Sequence, residues 1–282
     1  MKILRALAVL SAMGLSIGLA QAQTAPSKIT IATEGAYEPW NFSGPGGKLE
    51  GFEIDLANDL CKRMKVSCEI VAQDWDGLIP SLNAHKFDAI MASMIATDKR
   101  REVMDFSQPY ASTLAGIMVD KSGPLANLPG GGEVIDINKD PDKAKQAIDG
   151  LREALKGKTI GVQGSTSNAA FLDKYFKGDI EVREYKTTEQ HDLDLQAGRL
   201  DAIVAQTTSL NSTLQKPGYD TFAIVGPSFT GDVFGQGIAV GLRKEDAKLK
   251  QMFNDAISAA MKDGTVKALS EKWFKTDVTP RS

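Results

Sequence analysis

The chain reads as an α/β protein whose sheets are mainly parallel and flanked by helices. Three observations predict this. Short apolar runs of strand length alternate with longer segments whose apolar residues recur at helical spacing, the pattern of βα units. The alternation breaks off and restarts at Gly116, giving two successive sets of units with no clean repeat between them. Third, an apolar run from Ala89 to Ala92 opens into a small polar residue, Ser93, and then into Thr97-Asp98-Lys99-Arg100, which has the look of a capped helical turn. That arrangement puts Ser93 and Arg100 just past the carboxyl end of a buried strand, where open α/β sheets bind ligands.

The elements follow in order. Lys28 to Thr33 is a first strand. Glu53 to Met64 is a helix with Leu56, Ala57, Leu60, Cys61 and Met64 on one face. Ser67 to Ala72 is strand-like, and Leu78 to Ala84 is a short helix with Pro80 in its first turn, where proline is tolerated. Phe87 to Ala92 is the buried strand. In the second set, Gly116 to Val119 is a strand and Lys121 to Gly132 a Gly/Pro-rich loop. Asp142 to Leu155 is a helix, Thr159 to Gln163 a strand and Ser167 to Phe176 a helix. Glu181 to Tyr185 is a strand, Glu189 to Ala197 a helix and Leu200 to Ala205 a strand. Gly237 to Leu242 is a closing strand, Glu245 to Lys262 a helix ended by Gly264, and a last helix carries Val266, Leu269 and Trp273.

The N-terminus points to export. Lys2 and Arg5 form a basic region, Ala6 to Ala20 is a short apolar run, and Ala20-Gln21-Ala22 is a small-x-small cleavage site. Residues 1–22 are therefore expected to be a signal peptide, with the mature chain beginning at Gln23 in the periplasm. No Cys stands at the cleavage site to take a lipid, and no later stretch is apolar enough for a membrane span. Cys61 and Cys68 are expected to pair in that oxidising compartment, joining a helix end to the next strand. With His85 and His191 as the only histidines, two thiols make a poor metal site, so no metal is expected. Loss of Lys2 and Arg5 takes the formal charge from −3 to about −5, which gives no footprint for nucleic acid.

Arg100 has the planar fork that holds a carboxylate through two parallel hydrogen bonds. The bland alternative is a surface ion pair; its place past a strand end favours the ligand role. Glu34 and Tyr37 follow the first strand directly and face the same cleft. Trp75 sits in the polar loop Gln73-Asp74-Trp75-Asp76-Gly77 rather than in an apolar run. Tyr37 and Trp75 suit a flat guanidinium by cation–π stacking, with Glu34 as its counter-ion. Gly164-Ser165-Thr166-Ser167 joins a strand to a helix, and free N–H groups at a helix start make an anion site, so Thr166 and Ser167 are candidates for the other side of the carboxylate. The same residues serve equally as a helix cap. The glycine pattern is not a dinucleotide fingerprint, no P-loop occurs, and no cofactor is expected.

Several segments together carry a family likeness. The Ser93–Arg100 segment, Gly51-Phe52-Glu53-Ile54-Asp55-Leu56-Ala57, Gly161-Val162-Gln163-Gly164-Ser165-Thr166 and the Asp263-Gly264-Thr265 turn appear in one order over nearly all of the mature chain. The chain thereby resembles the amino-acid-binding branch of periplasmic solute-binding proteins, the recognition subunits of ABC importers. Pro39 to Leu49, Phe171 to Gly178 and Lys272 to Pro280 look like its octopine- and nopaline-binding subgroup. The resemblance implies a two-lobed fold of the Venus-flytrap type II, each lobe a mixed, mostly parallel sheet flanked by helices. The first lobe would comprise residues 23–112 and, on the chain's return, 236–282, with residues 113–235 as the second. It also implies a monomer that docks on membrane permease subunits without entering the bilayer.

The family carry-over puts Tyr37 and Trp75 at the two stacking positions and Glu34 against a cationic ligand tail. Two departures are informative. Plain amino-acid binders of this family usually carry an acidic residue at the position of Gln206, where it pairs with an α-ammonium, and a hydroxyl residue at the position of Ile95. Here one is neutral and the other aliphatic. A bulkier, less cationic head group fits both changes, with Ala92, Gly116 and Gln163 making room or supplying backbone contacts. Opines, amino acids whose α-nitrogen bears a second carboxylate group, have that chemistry. The expectation is a binding protein for octopine or nopaline, with free arginine, lysine, ornithine or histidine as the rival ligands. Some dehydratases share this fold, but an enzyme needs a placed acid or base beside the reacting carbon, and the expected cleft offers Glu34 facing a cation. The chain is therefore expected not to be an enzyme.

Overall fold

The computed structural model describes residues 26–280, so the signal peptide assigned to residues 1–22 lies outside the described residues. The elements are β1 (Lys28–Thr33), β2 (Ala36–Tyr37), β3 (Asn41–Ser43), β4 (Leu49–Glu50), α1 (Phe52–Met64), β5 (Ser67–Ala72), α2 (Leu78–Asn83), β6 (Ala89–Ile90), α3 (Asp98–Arg101) and β7 (Asp105–Ala111). There follow β8 (Ala115–Asp120), β9 (Val134–Asp136), α4 (Pro141–Leu155), β10 (Thr159–Gln163), α5 (Ser167–Phe176), β11 (Glu181–Tyr185), α6 (Thr188–Gln196), β12 (Ala202–Gln206) and α7 (Thr207–Thr213). The chain closes with β13 (Phe222–Thr230), β14 (Ile238–Leu242), α8 (Ala247–Lys262) and α9 (Thr265–Phe274).

Two large sheets form the two lobes. One has the order β5-β1-β6-β14-β7 and the other β11-β10-β12-β8-β13-β9; β2, β3 and β4 make a small third sheet. Strand β1 runs parallel to β5 and β6, and β10 parallel to β11 and β12. The antiparallel pairings belong to the strands that carry the chain between sheets: β14 with β6 and β7, β8 with β12 and β13. The sheets are thus more mixed than βα alternation alone predicts, because these strands arrive without a crossover helix to restore the parallel sense. Strand β14 lies in the first sheet although the chain has by then built the second.

Both faces of each sheet are covered, which is why the central strands read as unbroken apolar runs. Helices α1, α8 and α9 pack Leu56, Leu60, Phe253, Ile257 and Val266 on one face of the first sheet, with Trp40 and Phe52 beside them. Leu78 and Leu82 of α2 cover its other face with Phe87 and Phe106. In the second sheet, Leu151 of α4 and Phe171 of α5 pack with Phe229 on one side, and Leu195 of α6 and Leu210 of α7 on the other. Helix α1 ends at Lys65 in the left-handed region, and the Cys61–Cys68 disulfide ties its last turn to β5.

The Ala89–Ala92 segment is shorter as a strand than its apolar run. Only Ala89 and Ile90 lie in β6; the Met91 N–H still reaches the Ala32 carbonyl, at 2.9 Å. The ladder ends because Ser93 turns at φ 48° and gives its N–H to a side chain instead, the Glu53 carboxylate at 2.7 Å. The return between β13 and β14 is built on glycines for a steric reason. Gly235 has φ 57°, and a Cβ there would stand 2.5 Å from the Ala96 carbonyl oxygen.

Candidate functional site

Four strand ends converge on the gap between the two sheets. From β1 come Glu34 and Tyr37; from β6 come Ala92, Ser93, Ile95 and Arg100; from β10 come Gln163, Thr166 and Ser167; from β12 comes Gln206. With Trp75 from the turn after β5, these eleven residues line one cavity. Eleven residues expected at the ligand site, from both halves of the chain, are therefore brought together, whereas Gly116, expected to make room there, does not line the cavity and stands against Thr207, Leu210 and Ile224. A twelfth lining residue, Asn168, was not anticipated.

The first wall rests on a buried acid. Glu53 lies wholly inside the first lobe, on α1. It accepts hydrogen bonds from the Ser93 N–H at 2.7 Å, from Asn41 Nδ2 at 2.6 Å and from the Tyr110 hydroxyl. Burial pushes its pKa up, and these donors offset part of that rise. Asn41 in turn accepts the Gly35 N–H at 2.8 Å, so one network fixes both the Glu34–Gly35 turn and the Ser93 turn. Sequence reading used Glu53 only as a motif letter. It lies three and four residues before Leu56 and Ala57, on the apolar face of α1, and that placement was the available signal.

Arg100 stands on α3, whose first turn is capped by Thr97, its Oγ1 accepting the Arg100 N–H at 3.3 Å. The guanidinium donates to the Ile95 carbonyl at 2.9 Å and, across the cleft, to the Ser165 carbonyl at 3.2 Å. It lies over the Trp75 ring at 5.1 Å. Burial pulls its pKa down to about 10, which leaves it a cation at neutral pH. Trp75 is therefore already engaged by a cation of the protein, a role that the stacking argument had reserved for the ligand.

Glu34 supplies the acidic group of the cavity. It is 7% exposed and accepts from Gln163 Nε2 at 2.6 Å. Burial raises its pKa to about 7; the Gln163 hydrogen bond opposes this, and the carboxylates of Glu53, Asp74 and Asp76 add to it. Tyr37 and Gln206 are each 6% exposed, and burial raises the tyrosine's pKa further. Gln206 accepts from the Ser93 hydroxyl at 2.9 Å.

The second wall is the start of α5. Thr166 caps it, accepting the Ala169 N–H at 3.1 Å and donating its hydroxyl to the Gln163 carbonyl at 2.7 Å. Ser165 has φ 57°, so non-glycine residues in the left-handed region, Ser93 and Ser165, stand on both sides of the cleft.

The two lobes touch. Beyond the cavity, Trp40 Nε1 donates to Thr208 Oγ1 at 2.9 Å, Ser209 Oγ to the Glu38 carbonyl at 3.1 Å, and Lys216 pairs with Glu38 at 2.9 Å. This is a closed arrangement. Trp40 is fully buried against Phe52 and Phe274. Among the described residues no cluster of His, Cys, Asp and Glu suits a metal ion, and no helix is long and apolar enough to cross a membrane.

Comparison with known proteins agrees with this geometry. The family model of bacterial extracellular solute-binding proteins, family 3, matches residues 29–276. The chain is 50% identical over 278 residues to an octopine-binding periplasmic protein of Rhizobium meliloti, covering 92% of this chain and 94% of that one. It is 35% identical to an L-arginine-binding protein of Pseudomonas aeruginosa, covering 98% of each. Among solved structures, a periplasmic His/Glu/Gln/Arg/opine family-binding protein from Silicibacter pomeroyi in complex with lysine superposes with a TM-score of 0.71 at 29% identity, covering 89% of this chain and 99% of that one. The solved relatives are two-lobed binding proteins, as the strand order of the two sheets also describes. The chain belongs to the bacterial extracellular solute-binding proteins, family 3.

Proposed function

We propose that this protein captures an arginine-derived opine, octopine or nopaline, between its lobes in the periplasm and presents the closed form to the permease of an ABC importer. The observation that carries the reading is Gln206. A neutral amide, held by the Ser93 hydroxyl, lines the same cavity as the acidic Glu34 and the cationic Arg100, at the position where a free amino acid would need an acid for its ammonium. The Rhizobium meliloti relative supports the same ligand class. In this reading Glu34 pairs with the guanidinium, which lies against Tyr37 and the face of the Trp75 ring that Arg100 leaves free. Arg100 and the start of α5, with Thr166 and Ser167, hold carboxylate. Ser93, Ile95, Ala92, Gln163 and Gln206 shape the middle.

The lobes in this proposal are residues 23–112 with 236–282, and 113–235, the first 22 residues being removed on export. The protein acts as a monomer, runs no reaction and has no nucleic-acid partner. The second reading is free arginine, favoured by the Pseudomonas aeruginosa relative and by Glu34, Tyr37 and Trp75, which suit either ligand. Calorimetry of mature protein, stripped of ligand by unfolding and refolding, separates them. Tighter binding of octopine or nopaline than of arginine is expected; arginine binding tighter than both would overturn the opine assignment.

A further inference from the structure

Three amides line the cavity, and they are not equivalent. Gln163 Nε2 donates to Glu34 at 2.6 Å and to the Lys186 carbonyl at 3.0 Å. Gln206 accepts from Ser93. Asn168 is 6% exposed, lines the cavity, and has no hydrogen-bond partner among the described residues. Its amide is not one of the fully enclosed polar groups; it opens onto the cavity, where a ligand that fills the space meets it.

Its surroundings define that ligand. Asn168 is the second residue of α5, a helix of ten residues. The first N–H groups of that helix lack intrahelical acceptors, and the Thr166 hydroxyl satisfies only that of Ala169. Those of Ser167 and Asn168 remain beside the side-chain amide. The helix start is positive in potential and favours an anion. Arg100 approaches this same point, within hydrogen-bond reach of Ser165, yet belongs to the other lobe. The anionic end of the cavity thus has two separate sets of donors: the guanidinium fork of Arg100, and the start of α5 with the Asn168 amide. A free amino acid carries one carboxylate for them. An opine carries at least two.

We propose that Asn168 is a specificity-determining residue, whose side-chain Nδ2 donates to the second carboxylate of an opine, the one borne by the substituent on the α-nitrogen. This rests on the opine reading above and deepens it. Arg100 holds one carboxylate whatever the ligand; Asn168 rewards only a ligand that brings another. Its contribution therefore appears in the ratio of opine to arginine affinity and not in overall binding strength.

The test uses mature protein and two variants, Asn168→Ala and Asn168→Asp, titrated with octopine and, directly or by competition against octopine, with arginine. Asn168→Ala is expected to weaken octopine about tenfold, the usual worth of a hydrogen bond to a charged group, and to leave arginine within about threefold. Asn168→Asp is expected to weaken octopine further, by setting like charges together, again sparing arginine. Retained arginine binding shows that each variant is folded. Equal loss of both ligands, or no loss of octopine, overturns the assignment of Asn168 while leaving the opine reading intact. Wild-type protein that fails to bind octopine and nopaline overturns the opine reading itself, and the assignment with it.

Discussion

The Ser93 hydroxyl donates to Gln206 Oε1 across the cleft at 2.9 Å, joining a turn of the first lobe to a strand end of the second. Both partners are buried, so the bond forms where water is largely excluded. A residue at 206 thus accepts a hydrogen bond from Ser93 while, in the proposed reading, facing the ligand's head group.

Aspartate satisfies the first demand and changes the second. Gln206→Asp keeps an acceptor for Ser93 but adds a negative charge beside the α-nitrogen. Octopine affinity is expected to fall by at least about tenfold through repulsion of its extra carboxylate, while arginine gains a partner for its ammonium and binds more tightly. Calorimetry with both ligands reads this directly; octopine affinity that survives the substitution refutes the role of the neutral amide.

On the proposed pairing of Glu34 with the ligand's guanidinium, binding is expected to depend on pH. Its carboxyl titrates near pH 7 in the closed protein, whereas pairing with a guanidinium requires the carboxylate. Affinity for an arginine-derived ligand is expected to rise about tenfold between pH 6 and pH 8 and then level off. Glu34→Gln should flatten the profile and weaken binding. A profile of the same slope in that variant would assign the titration to another group.

The same group affects stability with the opposite sign. Glu34 holds its proton more tightly folded than unfolded, so its contribution is full below its ordinary value of 4.5 and is lost as the pH rises through about 7. The difference in Tm between wild type and Glu34→Gln, both without ligand, should therefore shift against the wild type over that window. A difference that stays constant with pH would contradict the raised pKa.

Glu53 holds the first wall together. Glu53→Ala leaves the Ser93 N–H, the Asn41 amide and the Tyr110 hydroxyl without their acceptor. A loss of about 3 kcal/mol or more is expected, a fall in Tm of roughly 6–12 °C. Glu53→Gln keeps an acceptor and should fall by less than half as much. Thermal unfolding of the two variants separates a hydrogen-bonding role from simple filling of space.

The disulfide lies apart from the cavity, between α1 and β5. Replacing Cys61 and Cys68 by serine should cost about 2–3 kcal/mol of stability and leave ligand affinity within about twofold. A large loss of affinity at a temperature where the variant is folded would show that α1 positions the site more tightly than its packing suggests.

The cavity was legible in the sequence because one rule, ligand residues just past strand ends, picks out turns that need no knowledge of how the strands are ordered. Glu34, Ser93, Thr166 and Gln206 all follow apolar runs that read plainly as strands. Other elements gave weaker signals. Strand β7 contains Ser107, Gln108 and Pro109 among its apolar residues; β13 is broken by Gly226 and Pro227, and its register shifts between Val225 and Phe229. Helix α7, Thr207–Thr213, is mostly Thr, Ser and Asn and resembles a loop. Glu53 and Asn168 were missed for a common reason. Each is a polar residue on the apolar face of a helix, Asn168 standing three and four residues before Phe171 and Leu172, and a search for apolar stripes passes over the residues that interrupt them.

Trp40 has a consequence outside the energetics of closure. Its ring is rooted in the packed interior of one lobe, yet its single polar atom is bound to Thr208 of the other. Parting the lobes would expose that N–H to water while the ring keeps its apolar surroundings. The protein thus carries a native chromophore where its two lobes meet, whose emission would report any parting of the lobes without an attached dye.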